Sequence, residues 1–228
     1  MERVGAIVVA AGAGTRMAGV DKVFIPLTGK PLLAHTLFAF QSCSAVDDIV
    51  VVLPEDRLNN GGQLVEDHVI SKVKGVCPGG ARRQDSVKAG LEKLAGCEWV
   101  LIHDGARPCV SQRIIEDSLQ AVRDSGAAVP AVPVSDTVKV VSEDLFVENT
   151  PSRERLWSVQ TPQAFRFDII NEAHSKAQGD VTDDATLVEN LGYRVRVFPG
   201  SRANIKVTTP DDIPIAEAIL KEMNSGYR

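Results

Sequence analysis

The stretch Val4-Gly-Ala-Ile-Val-Val-Ala-Ala-Gly-Ala-Gly-Thr-Arg-Met-Ala-Gly-Val-Asp-Lys22 decides the fold of this chain. Its first part, from Val4 to Ala11, is an uninterrupted apolar run with the length of one strand. Such a run is typical of a strand that is buried on both faces, because no polar residues alternate with the apolar ones. The stretch therefore predicts a central strand in a sheet that is covered on both sides.

The second part of the stretch predicts a site for a nucleotide triphosphate. Gly12 and Gly14 follow the strand, and their missing side chains let backbone N–H groups come close to a ligand. N–H groups that converge in a loop or at the start of a helix attract phosphate oxygens. Arg16 and Lys22 add two cations to this anion site.

The spacing excludes two other phosphate-binding motifs. A dinucleotide fingerprint needs a third glycine three residues after the second, where this chain has Met17. A loop of the type GxxxxGK[ST] does not occur, because the Gly-Lys pair at 29–30 is followed by proline. The remaining alternative is a glycine turn that only joins a strand to a helix, with Arg16 and Lys22 in solvent.

The composition is that of an ordinary globular protein. The 228 residues are 44% hydrophobic and carry a net charge of -5, so we expect one domain over residues 1–228 and no nucleic-acid partner. No apolar run approaches the roughly 18 residues of a membrane span, and no signal-peptide pattern begins the chain. We therefore expect a cytoplasmic chain without a membrane partner.

Apolar segments of strand length alternate with segments that carry apolar residues at helical spacing. The strand-like segments after the first one lie at 48–54, 73–77, 99–103 and 127–134. This alternation predicts βαβ units, and hence an α/β fold with a mainly parallel sheet and helices on both faces. Ligands bind at the carboxyl ends of the strands in such sheets, where Gly12, Gly80 and Asp104 are expected.

The alternation changes between residues 136 and 160. Two short apolar segments, at 138–141 and 145–148, flank a polar turn and predict a β-hairpin. A hairpin buries too little surface by itself and needs another surface to pack on. We therefore predict a β-arm that embraces a second subunit and gives a homodimer. The alternative is a hairpin that folds back on its own domain.

Seven motifs, taken in order, resemble the 2-C-methyl-D-erythritol 4-phosphate cytidylyltransferase family. They are Ala10-Ala-Gly-x-Gly-x-Arg16 with Lys22, Gly79-Gly80-x-x-Arg83-Gln-Asp-Ser86, His103-Asp-Gly-Ala-Arg-Pro108, Asp136-Thr137-Val-Lys139, Thr161-Pro162-Gln163, Thr182-Asp183 and Asn204-Ile-Lys-Val-Thr208. The resemblance implies a Rossmann-like domain and a homodimer joined through the β-arm. It also implies a reaction of CTP with the polyol phosphate methylerythritol phosphate, which gives a CDP-linked alcohol and pyrophosphate for non-mevalonate isoprenoid synthesis.

The resemblance implies roles for individual residues as well. The catalytic cations would be Arg16, Lys22 and Lys206. The nucleotide would be bound by Ala10, Ala11, Gly12, Gly14, Arg16, Lys22, Gly80, Arg83, Ser86 and Asp104. The polyol phosphate would be bound by Asp104, Gly105, Arg107, Thr137, Thr182 and Lys206, and by Arg153 reaching from the arm into the partner's site. Mg2+, or another divalent cation, would be held mainly by the CTP phosphates, with Asp104 as a candidate ligand.

The chemistry of such a reaction suits a site that is rich in cations. A phosphate oxygen of the polyol phosphate attacks the α-phosphorus of CTP in line, and pyrophosphate leaves. The attacking oxygen is already ionised, so the protein needs to hold anions together rather than supply a strong base. His103 is accordingly expected to be structural.

Three alternatives stay open. The polyol phosphate could be ribitol 5-phosphate, which the same pocket residues would largely serve. The enzyme could be a sugar-phosphate nucleotidyltransferase that uses UTP or GTP. The chain could also be a non-catalytic regulator that binds a nucleotide.

Overall fold

The computed structural model describes residues 2–12 and 22–225. Gly14 and Arg16, two members of the predicted triphosphate site, lie outside these residues. The strand predicted from the first apolar run is present as β1 (Val4–Val9), and it is buried at every position.

The strands of the described residues form one large sheet and two small hairpins. After β1 they are β2 (Pro26–Leu27), β3 (Lys30–Pro31), β4 (Asp48–Leu53), β5 (Val73–Pro78), β6 (Trp99–Asp104), β7 (Ala127–Pro133), β8 (Val140–Val141), β9 (Val147–Asn149), β10 (Trp157–Val159), β11 (Gln163–Arg166) and β12 (Arg196–Pro199). The small hairpins are β2 with β3 and β8 with β9. The second of them confirms the hairpin predicted between residues 136 and 160.

The sheet is mainly parallel, as predicted. Strands β6, β1, β4 and β5 are parallel neighbours in that order, with β1 between β6 and β4. Strand β11 lies between β6 and β7 and runs antiparallel to both. Strand β10 also pairs antiparallel with β7, whereas β12 pairs parallel with it. The carboxyl ends of β1, β4, β5 and β6 therefore meet at one edge of the sheet.

Helices cover both faces of this sheet. They are α1 (Leu32–Ser42), α2 (Leu58–Asp67), α3 (Arg83–Lys93), α4 (Gln112–Ser125), α5 (Phe167–Ser175), α6 (Asp184–Asn190) and α7 (Asp212–Ser225). Ala6 and Val8 of β1 belong to a buried cluster with side chains of α1, α2 and α4. Ile7 and Val9 belong to a second cluster with side chains of α3, α5 and α6. Successive side chains of a strand point to opposite faces, so the unbroken apolar run supplies both cores.

Two elements of the structure are not evident from local sequence patterns. The polar and glycine residues at 59–62 are typical of a turn, but they lie inside α2. Gly61 is buried there, and a Cβ at this position would lie only 2.2 Å from Leu53 Cδ1. The glycine thus allows a helix to approach β4 closely instead of making a turn. Strand β11 has four residues and leads directly into α5, and no sequence pattern predicts it.

No helix among residues 2–12 and 22–225 has both the length and the apolar character that crossing a membrane requires. That residues 1–228 form one domain stays a prediction.

Candidate active site

A cavity of about 370 Å³ lies at the carboxyl edge of the parallel strands. Its lining contains every described residue of the predicted nucleotide site: Ala10, Ala11, Gly12, Lys22, Gly80, Arg83, Ser86 and Asp104. Lys206, which was predicted to be catalytic, lines the same cavity, and so do Arg82, Ala81 and Ala106. The structure therefore brings together residues from both ends of the chain.

One wall of the cavity is the loop between β5 and α3. Gly79 is required there, because a Cβ would lie 2.4 Å from Ala11 Cβ and 2.6 Å from Ser86 Oγ. Ser86 Oγ accepts a hydrogen bond from the Gly80 N–H at 3.2 Å and lies 3.2 Å from the Arg82 carbonyl oxygen, to which it donates. The glycine pair thus lets this wall lie directly against the end of β1, and Ser86 fixes its shape.

The cavity lining carries an excess of positive charge. Lys22, Arg82, Arg83 and Lys206 are basic, whereas Asp104 is the acidic residue among the lining residues that the structure describes. Arg82 is bound by Asp85 and by Asp180. A concave site with such an excess attracts polyanions, and guanidinium and ammonium groups bind phosphate oxygens strongly.

Asp104, the last residue of β6, is the centre of the charged groups. Its Oδ1 lies 3.3 Å from Arg83 Nε, and its Oδ2 lies 2.8 Å from Lys206 Nζ and 3.8 Å from Arg107 Nε. Burial alone would raise the pKa of Asp104, but the charges of Arg83 and Lys206 outweigh burial and hold the pKa well below its usual range. Asp104 is therefore ionised and surrounded by three cations.

His103 lies directly behind Asp104 and is fully buried. Its Nε2 lies 3.2 Å from the carbonyl oxygen of Arg107, and its Nδ1 lies 3.0 Å from Thr161 Oγ1. A carbonyl oxygen only accepts, so Nε2 carries the proton and Nδ1 accepts from the Thr161 hydroxyl. The same hydroxyl accepts from the Asp104 N–H at 3.0 Å. Burial lowers the pKa of His103 to about 4, which agrees with the expected structural role.

Lys206 is positioned by the segment between β12 and α7. The Val207 N–H donates to the Ala106 carbonyl oxygen at 2.8 Å, and the Val207 side chain is fully buried. Asn204 is also fully buried, and its Nδ2 donates to the Thr161 carbonyl oxygen at 2.9 Å. These contacts fix the backbone on both sides of Lys206, so its ammonium group reaches Asp104 from a rigid support.

Two buried residues that are connected to this site through Arg83 were not predicted from the sequence. Arg83 Nη1 donates to Asp184 Oδ2 at 2.5 Å, and His174 Nε2 lies 3.1 Å from Asp184 Oδ1. Burial would raise the pKa of Asp184, but the charge of Arg83 and the hydrogen bond from His174 lower it. No local pattern in the sequence indicates this pair, although Asp184 directly follows the Thr182-Asp183 motif.

The other predicted substrate residues are not among the described residues that line the cavity. Gly105 continues the end of β6, and its N–H donates to the Val9 carbonyl oxygen at 2.8 Å. Arg107 donates from Nη1 to the Asn204 carbonyl oxygen at 2.7 Å. Thr137 and Thr182 are exposed, and Arg153 Nη1 donates to the Ser135 carbonyl oxygen at 2.8 Å at the base of the hairpin.

Thr182 does not cap the helix that follows it, although threonine is a common N-cap residue. Asp183 is the N-cap of α6, because its side chain accepts from the Thr186 N–H. The Asp183 carboxylate also accepts from Gln163 Nε2 at 2.7 Å. Thr182 precedes the cap and is left exposed beside the loop that carries Asp180.

A larger open cleft of about 560 Å³ lies between α4 and β12. Its charged residues neutralise one another, since Arg113 lies 3.6 Å from Asp117 and Arg196 lies 3.0 Å from Asp124. This cleft offers no excess charge for a phosphate, and the smaller cavity is the better candidate site.

Comparison with known proteins gives one consistent result. Residues 4–222 match the family described as IspD, 2-C-methyl-D-erythritol 4-phosphate cytidylyltransferase. The enzyme of that name from Dehalococcoides mccartyi strain CBDB1 is 51% identical over 221 residues, which are 97% of each chain. The one from Clostridium novyi is 46% identical over 228 residues, covering 96% of this chain and 97% of that one.

Solved structures agree with the sequence comparison. The crystal structure of 4-diphosphocytidyl-2C-methyl-D-erythritol synthase from Anaerococcus prevotii superposes with a TM-score of 0.85 at 31% identity, covering 96% of both chains. The enzyme from Thermus thermophilus superposes with a TM-score of 0.78 at 34% identity, covering 94% of this chain and 98% of that one. The chain therefore belongs to the 2-C-methyl-D-erythritol 4-phosphate cytidylyltransferase family.

Proposed function

We propose that the chain joins CTP and 2-C-methyl-D-erythritol 4-phosphate in the cavity at the carboxyl edge of the sheet, with release of pyrophosphate. Membership of the family supports the reaction. The observation that carries the choice of site is the arrangement of Lys206, Arg83 and Arg107 around the ionised Asp104. An in-line transfer between two phosphate groups needs this kind of fixed positive charge.

The two substrates would occupy different parts of the cavity. Ala10, Gly80 and Ser86 form the wall where the loop after β1 meets the loop after β5. This wall suits a flat base, which the protein would recognise through close contacts. Lys22 lines the same cavity and would hold the triphosphate. Asp104 would accept hydrogen bonds from polyol hydroxyls, because the neutral hydroxyl is a donor and Asp104 is ionised.

Lys206 would neutralise charge between the substrates. In the present arrangement its ammonium group binds Asp104, and its side chain is 39% exposed. A phosphate group that enters the cavity can therefore meet Lys206 without breaking the buried part of the site. As negative charge grows on the oxygens around the α-phosphorus, a positioned cation stabilises the transition state more than the ground state.

Mg2+ is proposed to be held by the CTP phosphates rather than by a protein site. Over the ranges 2–12 and 22–225, the acidic, histidine and cysteine side chains form no group of three that could hold a metal ion. Asp104, the candidate ligand, already has one oxygen on Arg83 and the other on Lys206. When bound to CTP, the ion would supply additional charge neutralisation on the triphosphate.

The hairpin is proposed to join two copies of the chain. Leu145, Phe146 and Val147 are 80%, 75% and 58% exposed. Trp157 and Val159 of β10 are exposed near the base of the hairpin. Large apolar side chains that cluster on a surface mark an interaction site, and a second copy of the same chain would also bring Arg153 to a neighbouring cavity. We propose the cytoplasm as the place where this dimer works, since its reaction uses charged, water-soluble substrates.

The deciding experiment is pyrophosphate release with Mg2+, CTP and methylerythritol 4-phosphate. Parallel reactions replace the polyol phosphate with ribitol 5-phosphate, or CTP with UTP, GTP or ATP. We expect release with CTP and methylerythritol phosphate and little with the other pairs. A preference for ribitol phosphate would keep the site and change the substrate. Absence of release from folded protein that still binds CTP would favour a regulator.

A further inference from the structure

The Asp184 carboxylate is an unusual group to find behind the wall of this cavity. Its side chain is 1% exposed, and it lies between Arg83 on one side and His174 on the other. Burying a carboxylate costs several kcal/mol unless its partners replace the lost water. Both of its oxygens are satisfied here, since Oδ2 accepts from Arg83 and Oδ1 from His174. Among residues 2–12 and 22–225, Arg83 is the partner that connects Asp184 to the cavity lining.

Arg83 connects this buried carboxylate to the cavity. Its Nη1 binds Asp184, and its Nε donates to Asp104 Oδ1 at 3.3 Å. The guanidinium group is planar and rigid, so fixing one edge of it also fixes the direction of the other donors. Arg83 is 26% exposed and belongs to the cavity lining. Asp184 and Asp104 thus bind the same guanidinium group through different nitrogen atoms.

Asp104 in turn forms an ion pair at each of its two carboxylate oxygens. Arg83 lies at Oδ1, and Lys206 lies at Oδ2 at 2.8 Å. If Arg83 were released, the carboxylate would be free to turn toward Lys206 and Arg107. The polyol phosphate would then meet a rotated Asp104 and a more tightly paired Lys206.

We propose that Asp184 is a positioning residue of the transfer reaction: supported by His174, it holds Arg83 against Asp104, so that Asp104 and Lys206 keep the orientation that receives the polyol phosphate. This inference rests on the proposed function. It adds a residue that does not line the cavity to those that determine how the second substrate binds.

The test is the Asp184→Asn variant, because asparagine has the same shape and lacks the charge. We expect the KM for methylerythritol phosphate to rise about tenfold, with a smaller change in kcat. A crystal structure of the variant should show that Arg83 has moved away from Asp104. An unchanged KM, or an unchanged Arg83, would overturn the inference.

A matched control is available at the opposite edge of the sheet. Asp48 is the first residue of β4, its side chain is 8% exposed, and it binds Arg3 and Lys74. Asp48→Asn also removes a buried charge that is paired with an arginine, so it should lower the melting temperature as Asp184→Asn does. Its kinetic constants should stay within about twofold of the wild type. If Asp48→Asn raised the KM for the polyol phosphate equally, loss of stability would explain both effects.

The route through Arg83 is tested by a double variant. Arg83→Gln should itself raise the KM for the polyol phosphate, and adding Asp184→Asn should change it by less than about twofold. Independent effects that multiply would overturn the route through Arg83. If Asp184→Asn does not fold, His174→Gln replaces it, since this change leaves the charge of Asp184 and removes the imidazole behind it. The KM should then rise about threefold, and an unchanged KM would count against the inference.

The wild-type reaction separates this inference from the proposed function. Absence of turnover in the wild type would remove the proposed function and, with it, the role of Asp184. Turnover in the wild type with normal kinetics in Asp184→Asn would remove the role of Asp184 alone.

Discussion

The cavity and the hairpin depart from ordinary burial in opposite ways. At the cavity, charged groups are buried: Asp104 lines it, and Asp184 lies behind its wall. In the hairpin, apolar groups lie outside, with Leu145 and Phe146 mostly exposed. Most folded chains bury their apolar side chains and expose their charges, so a buried charge or an exposed apolar cluster is informative.

The difference is where each region finds its partners. The buried carboxylates are paired within the chain by Arg83, Lys206 and His174. The apolar side chains at the tip of the hairpin remain exposed within the chain. A region that satisfies its own charges is organised in advance for a small ligand, whereas one that exposes apolar surface is organised for another macromolecule.

Lys206→Ala should have the largest effect, because it removes a cation from the cavity. The change leaves the hairpin as it is. We expect kcat to fall by about two to three orders of magnitude, as found for groups that stabilise charge in the transition state. The assay is pyrophosphate release at saturating substrates. Lys221→Ala is the control, since Lys221 is exposed on α7 and pairs only loosely with Glu217, at 4.0 Å. Equal activity of the two variants would contradict a catalytic role for Lys206.

Acid should have the second largest effect. It should destabilise the part of the molecule around the cavity and not the hairpin, because the histidines lie outside residues 136–160. The pKa of His103 is about 4 in the folded protein against an ordinary value of 6.5. The folded state therefore binds its proton less readily, and stability that is present above pH 6.5 is lost as the pH falls toward 4. The loss amounts to about 3 kcal/mol in the free energy of unfolding.

Urea unfolding of the wild type and of His103→Gln at pH 7 and pH 4 measures this loss. The variant cannot titrate at this position, so its stability should fall less between the two pH values. His35, whose pKa burial also lowers, acts in the same direction in both proteins. Asp104 has a lowered pKa, so its contribution to the stability of the folded state is lost only below its ordinary pKa of 3.8. Parallel losses in the two proteins would show that His103 is not the group responsible.

Arg153→Ala should have an intermediate effect and would link the two regions. We expect the KM for the polyol phosphate to rise about tenfold with little change in kcat, as for a lost contact to a substrate phosphate. Arg155→Ala is the control, because Arg155 is an exposed residue of the same turn, Arg153–Arg155. If the arm serves the partner's cavity, mixed dimers of Arg153→Ala and Lys206→Ala should regain part of the activity. No recovery in verified mixed dimers would contradict the crossed arm.

Phe146→Ser should have the smallest effect and would act on the hairpin alone. Removing one exposed aromatic side chain from the proposed interface should raise the dimer dissociation constant by about tenfold, or about 1.4 kcal/mol. Sedimentation over a concentration series measures this constant. Val69→Ser is the control, because Val69 is 79% exposed outside the hairpin. A fully monomeric wild type would rule out the interface.

The sheet could be predicted from the sequence because most of its strands are recognisable from their own residues. β1 and residues 49–53 of β4 are each an unbroken apolar run, and such runs need no knowledge of distant residues. Strand β11 was missed for the opposite reason. Its place is set by pairing with β6 and β7 on its two sides, and four residues are too few to show a period.

The same distinction separates the predicted and the missed parts of the site. Lys22, Asp104 and Lys206 follow strands or lie in motifs, and the structure places them in one cavity. Asp184 meets Arg83 across 101 positions of the chain. Such a pair is created by the tertiary fold, which brings the first residues of α6 and α3 together, so it could be recognised only once the fold was known.

The insertion of β11 between β6 and β7 has a consequence for synthesis on the ribosome. Strands β6, β1, β4 and β5 are complete once residue 104 has emerged, and their pairing needs nothing that comes later. Strand β7 has no direct pairing with β6, and it joins them through residues 163–166. The nascent chain must therefore carry β7 and the whole hairpin outside the ribosome before its sheet can close. Because closure forms these long-range contacts late, we expect it to be the slow step of folding.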